Sequence, residues 1–207
     1  TPTSARASKA VVDVTLNTNS SSLTMPAGTV FNTAVDGVSY NFSTITDVTK
    51  SNTGNSIPFT NIDIYEGTFI TTRYSVDSSD VDQRFLLTDN RADTTTLTVK
   101  VQTSSSDSTT TTYTKATDIT QLTASSNVYF LQEVEAGVFE IYFGDGIIGS
   151  ALSDGNIIIL TYVVSNKSLA NGAALFDNAA TIAAVSDISV ATVAAASAGS
   201  EPESLQS

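Results

Sequence analysis

The chain has 207 residues with neither cysteine nor histidine, a formal net charge of −12 and only 14% charged residues. These counts exclude a disulfide framework, a Cys/His zinc site and any nucleophilic site built on Cys or His, and the acidic balance disfavours nucleic acid and anionic lipid as partners. No apolar run reaches the roughly 18 residues that a membrane-spanning helix needs, so we expect no membrane partner.

Thr, Ser and Asn supply the polarity that charged residues supply in an ordinary domain, where about a quarter of the residues are charged. Thr is β-branched and favours strands, whereas Ser and Asn favour turns. The composition therefore predicts a mainly-β protein with many short connections and little helix.

Residues 9–60 predict a series of short strands. Lys9–Leu16 alternates apolar and polar residues with the two-residue period of a strand. Pro26–Gly28 predicts a turn before the next strand, and Asp36-Gly37 has the composition of a tight hairpin turn. Lys50–Ser56 is predicted to be a polar loop.

Residues 61–165 predict a second set of strands and hairpins. The predicted strands, recognised by alternating or continuous apolar residues, are Thr68–Val76, Arg84–Leu87, Thr95–Thr103, Val128–Leu131, Val138–Phe143 and Asn156–Val164. The last of these is the most β-prone run in the chain, because most of its residues are β-branched or aromatic. This central segment therefore predicts the core of a β domain.

Glycine and aspartate cluster between the last two predicted strands, in residue types that accept positive φ and tight turns. We expect at least one of Gly144 and Gly146 to have a positive φ. The residues predicted to form structural turns are Gly144, Asp145, Gly146, Gly149, Asp154, Gly155, Asn156, Pro26 and Gly28.

Gly144, Gly146 and Gly149 also have the G-x-G-x-x-G spacing of a dinucleotide-binding loop. That loop requires a helix whose N-terminus meets the pyrophosphate, whereas residues 150–155 are too few and too rich in turn formers for a helix. Asp145 would also place a negative charge among the phosphates. We therefore expect a structural turn and no cofactor.

Residues 166–199 are dominated by Ala, which permits a helix. Their β-branched residues are spaced two or three apart and a Ser-Asp pair interrupts them, which favours two strands over one helix: Ile182, Val185, Ile188, Val190 and Val193.

Three sets of side chains have the residue types of binding or catalytic sites. Three aspartates in one predicted loop offer oxygen ligands for Ca²⁺ but lack EF-hand spacing, which favours a solvated loop and leaves Ca²⁺ binding open: Asp77, Asp80 and Asp82. Three glutamates offer paired carboxylates for glycoside hydrolysis, but a polar strand face also accounts for them: Glu133, Glu135 and Glu140. Four tyrosines offer a sugar-stacking platform, but packing is the commoner role of Tyr in strands: Tyr65, Tyr74, Tyr129 and Tyr142. We expect no metal site, no catalytic residue and no small-molecule substrate.

The predicted architecture is two small antiparallel, sandwich-like β subdomains, one inserted into the other. Residues 61–165 form the inserted subdomain, because they have their own hairpins and core strands. Residues 9–60 and 166–199 form the other, because each section is small for independent folding.

Tyr129–Ala173, in which Phe143–Gly146 and Asp154–Asn156 are the most specific parts, resembles the baseplate J-like family. The resemblance is greatest to baseplate wedge subunits of T4-like contractile-tailed phages, especially those that infect cyanobacteria. Shorter segments that fit the same family are Arg6–Ala10, Met25–Phe31, Ile64–Gly67, Asp82–Phe85 and Ser197–Ser204.

The resemblance implies a structural, non-enzymatic component of a contractile tail baseplate wedge. Such a protein contacts other copies of itself and neighbouring wedge subunits in ring assembly, and it is located in the virion after assembly in the host cytoplasm. Wedge subunits of this family are longer than this chain, so the resemblance also implies an internal fragment, with residues 1–8 and 200–207 as connecting arms.

Composition alone also allows an acidic, Thr-rich β domain of an adhesin or a carbohydrate-binding protein. The glycine-bounded block Phe143–Tyr162 and the exit at Glu201–Ser204 fit the baseplate class and have no role in the adhesin class.

Overall fold

The computed structural model of the protein describes residues 3–178 and 180–203. Strands dominate this part of the chain, and its helical segments are two short 3-10 turns, Ile119–Gln121 and Lys167–Ala170. The prediction of a mainly-β protein is therefore confirmed. Neither helical segment in the described ranges is long and apolar enough to cross a lipid bilayer. The outer parts of the two predicted arms, residues 1–2 and 204–207, lie outside the described residues.

The strands of the described residues, in chain order, are β1 (Lys9–Asn17), β2 (Ser22–Met25), β3 (Val30–Val35), β4 (Val38–Ser43), β5 (Val48–Ser51), β6 (Ser56–Glu66), β7 (Thr68–Ser75), β8 (Phe85–Leu87), β9 (Ala92–Gln102), β10 (Thr110–Lys115), β11 (Val128–Glu135), β12 (Val138–Phe143), β13 (Ile157–Val164), β14 (Asp177–Asn178) and β15 (Ile188–Ser197).

The first sheet has six strands in the order β14-β3-β4-β6-β1-β15, and β2 pairs with β5 separately. All of these pairs are antiparallel. The alternation on β1 buries every second side chain, as the strand period requires: Ala10, Val12, Val14 and Leu16. The largest fully buried side chains that join them in the first core are Phe31, Phe42, Phe59, Met25, Ile57 and Ile64.

The predicted hairpin turn at Asp36-Gly37 is confirmed. It joins β3 to β4, with Val35 paired to Val38. Asp36 and Gly37 have φ values of +49° and +80°, as a two-residue turn that matches strand twist requires.

The second sheet has seven strands in the order β7-β13-β9-β10-β11-β12-β8. Its two edge strands meet, because the Tyr74 hydroxyl on β7 donates to the Leu86 carbonyl on β8 at 2.7 Å. The Tyr74 ring also packs edge-on against Phe85, with centroids 5.6 Å apart. The sheet therefore curls around a core of its own, whose fully buried members include Leu87, Val99, Ile141, Ile158 and Leu160.

One strand pair departs from the predicted antiparallel arrangement. β10 and β11 are parallel, with Thr114 opposite Val128 and Lys115 opposite Tyr129. Residues 116–127 connect them, and this length of about a dozen residues is what a parallel connection needs. A two-residue hairpin would have imposed the opposite direction.

The chain passes from the first sheet to the second at Gly67. Asn61 has a φ of +53° and its N–H donates to the Asp13 carboxylate at 2.8 Å, at an irregularity where the register between β6 and β1 shifts. Residues 61–66, which the sequence prediction grouped with the inserted segment, therefore continue β6 past this irregularity. Ile62 and Ile64 lie in the first core.

Within residues 166–199, one long strand replaces most of the two predicted strands. β15 pairs with β1, whereas the segment around Ile182 is a tight turn. The Ile182 and Val185 backbones exchange hydrogen bonds of 3.0 and 2.8 Å, and the intervening Ala183 and Ala184 have φ values of +47° and +64°. The turn reverses the chain where the spacing of apolar residues predicted a strand.

Candidate functional site

The loop after β12 is a compact turn closed by its own carboxylate. Asp145 Oδ1 accepts the N–H groups of Ile147 and Ile148, both at 2.9 Å, and these bonds hold the pKa of Asp145 below its usual range. Gly146 N–H donates to the Gly149 carbonyl at 3.0 Å. Asp145 therefore occupies the Ile147 and Ile148 amides, and the Gly149 carbonyl occupies the Gly146 amide.

Two glycines of this loop satisfy different backbone requirements. Gly146 has a φ of +84°, a region that L side chains rarely adopt. Gly144 does not have a positive φ, but a Cβ there would collide with the backbone of Gly149 and the carbonyl of Ile148. Gly149 itself has a φ of +84°.

Residues 144–149, here called the glycine loop, are anchored to the segment before β11. Two isoleucines of this loop are exposed. Gly149 N–H donates to the Thr123 carbonyl at 3.0 Å, and Ser150 N–H donates to the Ser126 carbonyl at 2.8 Å. Ile147 is 76% exposed and Ile148 is 42% exposed. The glycine and aspartate pattern predicts only a turn here, although two adjacent isoleucines between turn glycines also indicate an apolar loop surface.

The second predicted turn ties together the far end of the seven-stranded sheet. Asp154 Oδ1 accepts the N–H and hydroxyl of Ser78 at 2.8 and 3.0 Å. Gly155, with a φ of +78°, donates its N–H to the Val76 carbonyl at 2.9 Å. The Asn156 side chain donates to the Thr103 carbonyl at 2.9 Å. The connections that follow β7, β9 and β12 are thereby held against one another.

The Pro26–Gly28 turn is a contact between the two sheets. Gly28 has a φ of +82°, and a Cβ there would lie 2.9 Å from Phe69 Cδ1 on β7. The Thr29 N–H and hydroxyl both donate to the Pro26 carbonyl, at 3.3 and 2.6 Å. The turn therefore brings backbone of the first sheet directly onto an aromatic ring of the second.

A buried carboxylate joins the two points where the chain crosses between the sheets. Glu66, at the end of β6, is 1% exposed. Its carboxylate accepts the backbone N–H of Asn166 at 2.8 Å and the Asn166 side-chain amide at 2.7 Å. Burial raises the pKa of Glu66, and the two bonds from Asn166 oppose that rise. The Glu66 N–H donates to the Ser8 carbonyl at 2.9 Å.

A second buried carboxylate fixes the N-terminal arm. Asp93 Oδ2 accepts the Ala7 N–H at 2.9 Å, while Oδ1 accepts the Thr95 N–H and hydroxyl at 2.9 and 2.6 Å. The Ser4 and Thr94 hydroxyls lie 2.9 Å apart. From Thr3 onward the predicted arm is therefore docked at the junction between the two sheets. Its polar composition did not indicate this position.

Members of the aspartate set and of the glutamate set bond to residues close to them. The Asp77 carboxylate accepts the Ser79 hydroxyl and N–H, which lowers the pKa of Asp77. Glu140 forms a bidentate ion pair with Arg84, at 3.0 and 2.7 Å, which lowers the pKa of Glu140. Among the described residues no group of three or more His, Cys, Asp or Glu side chains has the arrangement of a metal site.

The four tyrosines do not form one platform, although Tyr129 and Tyr142 line the same groove. Tyr74 and Tyr129 belong to the second core, Tyr65 lies near the Lys9 ammonium on the first sheet, and Tyr142 stacks on Phe130 with centroids 5.2 Å apart.

Residues 70–174 match the family model described as bacteriophage baseplate wedge protein gp6, third domain. The match covers just over half of the chain and includes most of the seven-stranded sheet. The chain therefore belongs to this family. No curated protein matches it.

Proposed function

We propose that this member of the gp6 third-domain family is a non-enzymatic, structural part of the baseplate wedge of a contractile phage tail. It acts through contacts with other copies of itself and with neighbouring wedge subunits in ring assembly. The family match over residues 70–174 carries the proposal. The virion is then its location, after assembly in the host cytoplasm. Membership of the baseplate J-like group and an origin in a T4-like cyanophage rest on the sequence resemblance.

The composition of the surface supports a role in assembly. With only 14% charged residues, the surface can be covered by a partner at a lower desolvation cost than a surface rich in Lys and Glu. The exposed isoleucines of the glycine loop are held on a turn with many internal hydrogen bonds, so little conformational entropy is lost when a partner covers them.

We also propose that residues 68–164 form a subdomain inserted into the six-stranded one. The predicted turn residues then serve as structural corners, those at 144–156 in the inserted subdomain and Pro26 and Gly28 in the other. The pairing of β15 with β1 supports this division. The two arms run side by side, since Arg6 bridges Ser200 and the Glu203 N–H donates to the Thr3 carbonyl at 3.2 Å. Chain connections to the rest of a longer subunit would leave from this one place.

Cross-linking in intact phage tails tests the function. We expect cross-links between residues 9–199 and other baseplate proteins or other copies of this chain. If these residues cross-link only within their own chain while other parts of the baseplate do cross-link, this stretch is a spacer and the proposal fails.

A further inference from the structure

The seven-stranded sheet is split near the junction because β10 is shorter than its neighbours. β10 pairs with β9 from Thr110 to Tyr113 and with β11 only through Thr114 and Lys115. β9 begins at Ala92 and β11 continues to Glu135. The first half of β9 and the second half of β11 therefore face each other with no strand between them among the described residues.

This gap is a groove of about 940 Å³. Its apolar floor consists of side chains from three strands of the second sheet: Leu97, Tyr129, Leu131 and Phe139. Three charged side chains line the groove as well, Arg6 on the docked arm, Lys115 at the end of β10 and Glu133 on β11. The groove thus combines an apolar floor with a charged rim.

The rim is cationic in an otherwise acidic protein. Arg6 and Lys115 are exposed, and neither forms an ion pair within the described ranges. The Glu133 carboxylate accepts the Gly137 N–H at 2.8 Å. One of its oxygens is therefore bonded to the turn between β11 and β12. In a chain of net charge −12, two unpaired cations beside an apolar floor favour an anionic group next to an apolar one.

We propose that this groove binds an extended segment of a partner chain in which an aliphatic or aromatic residue lies next to Asp or Glu. The apolar side chain packs between Leu97 and Leu131, and the carboxylate pairs with Arg6 and Lys115. The backbone lies along the edge of β11 that β10 leaves open, as in strand addition to a sheet. This inference rests on the proposed function, because it names the chemistry of a wedge partner.

Photo-cross-linking in the full subunit, assembled with its wedge partners, tests the groove. Benzoylphenylalanine replaces Leu131 in the groove floor and, in the control, replaces Thr112, which is exposed on β10 outside the groove. We expect position 131 to cross-link to another chain, within two residues of an Asp or Glu, and position 112 to give little of this product. If the Leu131 variant does not fold, exposed Gln132 in the same groove takes its place.

Charge reversal on the rim provides a second test of the groove. Arg6→Glu with Lys115→Glu should lower the yield of this cross-link about tenfold, because two rim attractions become repulsions. Lys50→Glu, on an exposed lysine of β5 in the separate two-stranded pair, should leave the yield unchanged. An unchanged yield in the rim variant, a cross-link only to this chain's own arm, or a product without an acidic residue would overturn the proposal. Cross-links from Ile147 to other wedge proteins, with none from the groove, would overturn the groove and keep the proposed function.

Discussion

Glu66 and Asn166 are 100 positions apart in sequence, yet both carboxylate oxygens of Glu66 accept hydrogen bonds from Asn166, at 2.8 and 2.7 Å. Glu66 ends the last strand before the chain enters the second sheet, and Asn166 follows the strand from which it returns. One buried side chain therefore joins the exit and the return, and fixes how the two sheets meet.

Glu66 should give stability an unusual pH dependence. Burial raises its pKa in the folded state, so the folded protein binds more protons than the unfolded chain between the two pKa values. Its contribution to stability is therefore fully present below the unfolded-state pKa of about 4.3 and is lost as pH rises through the folded-state pKa. We expect the unfolding free energy of the wild type minus that of Glu66→Gln to fall with rising pH, as measured by urea denaturation.

Glu140→Gln is the matched control, because Arg84 lowers the pKa of Glu140. Here the wild-type advantage should be present above the unfolded-state pKa and lost as pH falls through the folded-state pKa. Opposite slopes for the two variants are expected. A Glu66→Gln difference that is flat or that rises with pH would contradict the assignment.

The glycine loop should tolerate substitution at Gly144 and at Gly146 unequally. Gly144→Ala places a Cβ against the Gly149 backbone, so its loss of stability should lie near the top of the range of about 1–3 kcal/mol expected for backbone strain. Gly146→Ala meets no close atom, since Ala151 Cβ is 3.7 Å away, and should lie near the bottom of that range because only its positive φ is strained. Thermal unfolding measures both, and Gly146→Asn should cost less than Gly146→Ala because Asn tolerates the left-handed region. Unchanged melting temperatures in both alanine variants would rule this out.

Local patterns predicted the elements whose causes are local. The alternation along β1 places Val12 and Val14 in the core, and the Asp36-Gly37 pair specifies its turn through two positive φ values. The apolar run of β13 also became a central strand, between β7 and β9. In each case neighbouring residues carry the whole physical reason.

Features that depend on distant residues were not predictable in this way. Asn61 is a residue type that is common where strands end. It instead lies within β6, at a shift of the register between β6 and β1, where Asp13 on β1 accepts its N–H. Ser4 is polar, yet it is buried because Thr94 lies opposite it at the junction. The burial of Glu66 likewise requires a partner that no local period indicates. The candidate groove has no local sequence pattern either, because it results from the unequal lengths of β9, β10 and β11.

The exposed isoleucines of the glycine loop should matter for assembly and not for folding. Replacing Ile147 and Ile148 together by Ser should change the unfolding free energy by less than about 0.5 kcal/mol, as is usual for exposed sites. Association of the full subunit with its wedge partners should weaken about a hundredfold, because burial of each of the two side chains contributes about 1.5 kcal/mol. Sedimentation of the assembled wedge measures this effect. Val81→Ser, at a position that is 92% exposed on another loop, is the control, and equal association of both variants would contradict an interface at the glycine loop.

Excision of residues 68–164 should leave a folded six-stranded sheet. The contact between Glu66 and Asn166 means that the cut ends lie close together, so a short Gly-Ser linker closes the chain at a small entropic cost. The remaining chain keeps all the strands of the first sheet and its core. Excision of 61–165 is the control, because it also removes the second half of β6, the strand that lies between β4 and β1.

We expect the 68–164 deletion to unfold cooperatively, at a lower temperature than the intact chain. Its melting temperature falls because the packing of Phe69 on Gly28 and the hydrogen bond from Ala7 to Asp93 are lost. The 61–165 deletion should remain unfolded, because β1 loses its pairing with Ile62 and Ile64 and two buried side chains leave the core. Far-UV circular dichroism during heating and the dispersion of amide proton resonances separate the two outcomes. If the 68–164 deletion is unfolded under conditions where the intact chain is folded, the six-stranded sheet depends on the second sheet, and the division into an inserted and a discontinuous subdomain is wrong.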